Sequence, residues 1–116
     1  MEEPDVNNYL WKEDLFELFK AQLKKDFESA GASGDFVNDL PVELEVLKST
    51  VTAELVLILK TNGSLLASLL YRIDISERQL QQYQDKNLSL SFEEIIAELI
   101  IKRILQKVIL KKTYSG

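Results

Sequence analysis

The segment from Phe92 to Lys111 constrains this chain more than any other. Ser91-Phe92-Glu93-Glu94 reads as a capping box, with Ser91 as the N-cap and Glu94 returning the bond, so a helix starts here. At 100° per residue, Phe92, Ile95, Ile96 and Leu99 fall on one side of that helix. Ile101, Ile104, Leu105 and Val108 fall on the opposite side. The apolar face therefore changes sides halfway along. One stripe can pack on the domain's own core, and the other needs a second cover. Monomers rarely leave a contiguous apolar patch in water. The pattern predicts that Ile101, Ile104, Leu105 and Val108 form an isologous interface between two copies of the chain. In the competing account, the N-terminal helix with Trp11 and its phenylalanines covers them within one chain.

The rest of the sequence reads mainly as helix. Trp11, Leu15, Leu18, Phe19, Leu23 and Ala30 recur at helical spacing from Tyr9 to Ala30, with Asn8 as N-cap and Gly31 as the stop. Phe36, Val37 and Leu40 tuck from the following loop onto the core. A second helix is expected from Pro41 to Asn62, with Leu44, Leu47, Val51, Leu55 and Ile58 on one face. Val46, Thr50, Ala53 and Leu57 make a second stripe on the other side, so this helix is expected to lie between two neighbours. Gly63 would end it in a left-handed conformation, and Ser64 would cap a short, mostly apolar helix to Ile73, expected to be the most buried element. Ser76-Glu77-Arg78-Gln79 is another capping box and opens a polar helix anchored by Leu80 and Tyr83. Val42-Glu43-Leu44-Glu45-Val46 alternates and Asn62-Gly63 suits a hairpin, which keeps open an α+β reading with a short strand at 42–47. Only 4 Gly and 2 Pro in 116 residues argue against a turn-rich β sandwich. The expected fold is all-α, with four to five helices in an irregular or orthogonal bundle. Residues 9–112 form the domain, with flexible ends at 1–8 and 113–116.

The chemistry available is narrow. The chain has no His and no Cys, which excludes Ser-His-Asp and Cys-His machinery, disulfides and thiolate or imidazole zinc sites. Glu13 with Glu17 and Glu94 with Glu98 could each place two carboxylates on one helix face, but carboxylate-bridged metal bundles also use Glu-x-x-His. Phosphate-binding glycine motifs and Ser-x-x-Lys are absent. These features point away from an enzyme and imply no cofactor and no metal. Arg72 interrupts an apolar helix and stands as an anion or ion-pair site, with Asp74, Glu77 or an acidic group from another helix as its expected partner.

Charge says something about partners. The first 58 residues carry 5 basic and 13 acidic side chains, the last 58 carry 9 and 6, and the chain is net −5. An acidic chain gains little from counterion release, so nucleic acid is not an expected partner. Lys102, Arg103, Lys107, Lys111 and Lys112 surround the last helix and complement its dipole without forming a stripe. The acidic start reads as no signal peptide and no run is long enough to span a membrane, so the expected setting is cytoplasmic with no membrane partner. The functional expectation is a non-enzymatic helical association module, a homodimer or a subunit of a larger complex. The alternative is a binder of a small apolar ligand or lipid, lined by Leu65, Leu69, Leu70, Ile96 and Ile100.

Overall fold

Among the described residues, capping signals and apolar spacing resolve into five α-helices. The computed structural model describes the backbone of residues 13–115 and the side chains of residues 14–112. Its helices are α1 (Glu13–Ser29), α2 (Leu44–Thr61), α3 (Ser64–Ile73), α4 (Glu77–Lys86) and α5 (Phe92–Ser115), with a 3-10 turn at Asp35–Asp39. The all-α expectation holds. No strand occurs among the described residues, and Leu44 to Leu47 form the first turn of α2. Asn8, Tyr9 and Trp11 lie outside the described residues, as does the tail expected at 1–8. At the other end, α5 continues to Ser115, past the end expected at Lys111 and into the expected tail.

Local chemistry explains most helix ends. α1 stops at Gly31, whose φ of 98° is the left-handed conformation that glycine adopts without steric cost. The Ala32 N–H donates to the Phe27 carbonyl at 2.9 Å and the Gly31 N–H to the Glu28 carbonyl at 3.1 Å, which is a Schellman closure. The following loop folds down as expected: Val37 and Leu40 are buried, and Phe36 meets Phe27 edge-on at 4.9 Å. α3 ends in the same Schellman pattern, with Asp74 in the left-handed position at φ 71°. α4 begins with the expected Ser76/Gln79 box.

Four expectations fail in instructive ways. α2 starts at Leu44 and not Pro41, because Glu43 is extended (φ −62°, ψ 120°). Gly63 is right-handed (φ −59°), and the break between α2 and α3 is made by Asn62 at φ −158°. Ser64 is the first residue of α3 and not its cap; its hydroxyl donates to Asn62 Oδ1 at 2.7 Å. α3 is not the most buried element either, since Tyr71 is 87% exposed and only Leu69 and Ile73 are fully enclosed. That place belongs to α5, which packs against α1, α2, α3 and α4.

The start of α5 carries a measurable contribution. The Ser91 N–H donates to Glu94 Oε1 at 3.0 Å, and the Glu94 N–H donates to Ser91 Oγ at 3.1 Å. These bonds from Ser91 hold the Glu94 carboxyl below the ordinary glutamate range. A lowered folded-state value means that this contribution is complete above the unfolded glutamate value and lost as pH falls through the folded one. Ser91→Ala is expected to destabilise the domain by about 1 kcal/mol at neutral pH. Urea midpoints for both chains check it, and an unchanged midpoint would mean that the cap does not limit stability.

Candidate association surface

The stripe expected to meet a second copy lies inside the chain. Ile101, Ile104, Leu105 and Val108 are all buried, with Ile104 and Leu105 fully enclosed. The reason is the position of α5. Its first half faces α2 and α4, through Glu98 to Lys48 and to Tyr83. Its second half faces α1, through Lys107 to Asp26 and Lys111 to Gln22. The apolar face changes sides because the covering helices change. The isologous interface on these four residues is thus corrected in favour of intrachain packing.

The polar groups of α5 are committed to structural partners. Asp26 is almost wholly buried and accepts from Lys107 Nζ at 2.8 Å and from Gln22 Nε2 at 2.9 Å. Lys111 reaches Gln22, and Lys112 pairs with Asp14, whose carboxyl that bond holds below its usual range. Together these contacts form an antiparallel seam between α1 and α5. A second knot joins three helices: Tyr83 donates to Glu98 at 3.2 Å, Lys102 donates to Tyr83 at 3.2 Å, and Lys48 lies 3.5 Å from Glu98. The hollow beside it is about 100 Å³, room for a few waters only. Glu94 and Glu98, paired in the sequence, serve different ends: Glu94 caps α5 and Glu98 joins this knot. No cluster of three or more potential metal ligands occurs among the described residues.

Arg72 is not an interior cation. It is exposed, and the partner expected for it, Asp74, binds Arg103 at 3.0 Å instead. Arg72 contributes its backbone carbonyl, which accepts from Lys107 at 3.2 Å. Leu69, Ile96 and Ile100, proposed above as ligand-lining residues, are fully enclosed in the core cluster.

Unsatisfied apolar surface is found on α2. Leu47, Val51, Leu55 and Ile58 face inward and are buried, as their spacing predicts. The opposite stripe faces water: Val46 is 50% exposed, Leu57 is 52% exposed, and Ala53 is exposed between them. The expectation that α2 lies between two neighbours is corrected, because among the described residues only one of its apolar faces is covered. Along one edge runs a hollow of about 400 Å³ lined by Glu45, Ser49, Thr52, Ala53, Ser91 and Glu94, among others. Beside the stripe stands Glu54, whose carboxyl is pushed up from the ordinary value by partial burial. Thr50 turns its hydroxyl back to the Val46 carbonyl at 2.8 Å, so it presents its methyl group without an unpaired donor.

Comparison with family models, curated proteins and solved structures returned no match. The assignment of this surface rests on its own geometry. A half-exposed stripe at 3–4 residue spacing on a regular helix is what a partner helix packs against. Among the described residues, the remaining large exposed apolar side chains, Leu18, Tyr71, Leu88 and Phe92, are spread over α1, α3, the α4–α5 connection and the start of α5. No helix among the described residues is long and apolar enough to cross a membrane.

Proposed function

We propose that this chain is a non-enzymatic helical association module that docks a partner on the outer face of α2. The observation that supports the reading is the stripe Val46, Thr50, Ala53 and Leu57, apolar or methyl-bearing at every position, half-buried at Thr50 and left exposed at Val46, Ala53 and Leu57 among the described residues. Covering the outer halves of Val46 and Leu57 is worth about 1.5–3 kcal/mol per chain. Association itself costs more than that, so the partner must bring apolar area of its own, and the complex is reversible.

The test uses the chain in its native lysate. Val46→Lys combined with Leu57→Lys leaves the inner face intact and is expected to change stability by roughly 1 kcal/mol or less. The wild-type chain should migrate in an assembly larger than one chain, and the double variant should migrate alone. Identical migration of the two would overturn the reading.

A further inference from the structure

We infer that the partner on α2 is a second copy of this chain, packed antiparallel through the same stripe. The inference rests on the association reading and names its occupant. Its basis is that the stripe complements itself. Within α2, Val46, Thr50, Ala53, Leu57 and Lys60 are spaced by 4, 3, 4 and 3 residues, the alternation of a heptad seam, and Glu43 precedes the helix as its N-cap. Two such helices related by a two-fold axis between residues 51 and 52 place Val46 against the copy's Leu57 and Thr50 against its Ala53. The small central pair lets the backbones approach closely, and the larger pairs close the ends. At each end Glu43 meets the copy's Lys60, so the pairing also matches charge. Neither Glu43 nor Lys60 has a side-chain hydrogen bond or ion pair among the described residues. A parallel arrangement would instead set Glu43 against Glu43 and Lys60 against Lys60. The helical part of the seam, Val46 to Lys60, is about 21 Å long, 14 residues at 1.5 Å each. Symmetry doubles every contact, which is how a short stripe yields a dimer.

The chain has no native cysteine, so introduced thiols report the geometry without background. Purified wild-type chain should populate a two-chain species whose share rises with concentration up to ~100 µM. Val46→Cys chains mixed with Leu57→Cys chains should cross-link to each other on mild oxidation. Val46→Cys alone should not, because the two thiols would sit about 16 Å apart along the axis, beyond the ~7 Å Cα separation that a disulfide spans. Glu43→Lys or Lys60→Glu alone should weaken the dimer about tenfold by setting like charges together at both ends. The two combined should restore it. Circular dichroism on each variant checks that the fold is retained. Cross-linking of Val46→Cys alone would overturn the antiparallel pairing, and a dimer that survives Leu57→Lys would overturn its location. A purified chain that stays single at ~100 µM would overturn the second copy as occupant. The association reading would still stand if the native lysate held an assembly sensitive to Val46→Lys and Leu57→Lys, and would fall with it otherwise.

Discussion

Ile104→Glu is expected to unfold the domain, not to release a folded monomer. Ile104 is fully enclosed on the side of α5 that alone would look like a dimer interface. The substitution removes a packed isoleucine and places a carboxylate where no partner is provided. Emptying such a site costs about 2–5 kcal/mol, and burying an unpaired polar group adds to it. Small domains hold about 5–15 kcal/mol in all, so most of that reserve is spent. Far-UV circular dichroism should show lost helix, and the urea transition should vanish or move far toward zero. Leu57→Lys is the control, because the same kind of change on the outer face of α2 should leave helicity native. A folded, monomeric Ile104→Glu chain would restore α5 as the docking helix and remove α2 from that role.

Lys107→Met is expected to cost about 3–5 kcal/mol, although Lys107 is a charged residue near the surface. Asp26, its partner across the α1–α5 seam, has a side chain only 4% exposed and accepts from Lys107 at 2.8 Å. Removing the ammonium leaves a buried carboxylate with Gln22 as its remaining side-chain donor. The Arg72 carbonyl at the end of α3 also loses the bond that ties it to α5. Replacing both charges together, as Asp26→Leu with Lys107→Met, should recover most of the loss, since an apolar pair of similar size carries no desolvation penalty. A urea double-mutant cycle measures this directly. Additive losses would show that the two residues act independently and that the seam is held by packing alone.

How far the sequence reached differs between helix ends and helix faces. The Ser76/Gln79 and Ser91/Glu94 boxes and the Gly31 stop were legible because each is settled by a few neighbouring residues. The inward face of α2 was legible too, since Leu47, Val51, Leu55 and Ile58 keep one helical spacing. The Asn62–Gly63 junction was not legible, because either residue can make the break, and in the structure Asn62 makes it while Gly63 is right-handed. The candidate site was half legible. Val46, Thr50, Ala53 and Leu57 stood out as a second apolar stripe, but nothing local said that it would face water.

By itself, then, the sequence determined that the chain is helical, where most helices begin and end, and which residues could line an apolar face. Tertiary structure decided which of those faces is covered. α2 and α5 each carry two apolar stripes of similar residues. α5 runs through the middle of the bundle and packs against α1, α2, α3 and α4, so its second stripe is enclosed and its first is enclosed at Ile95 and Ile96, leaving Phe92 exposed at the helix start. On α2 only the stripe turned toward the bundle is enclosed, and the other remains in water. Helix formation depends on near neighbours in the chain. Burial depends on how many other helices surround a given one, which no spacing along that helix records.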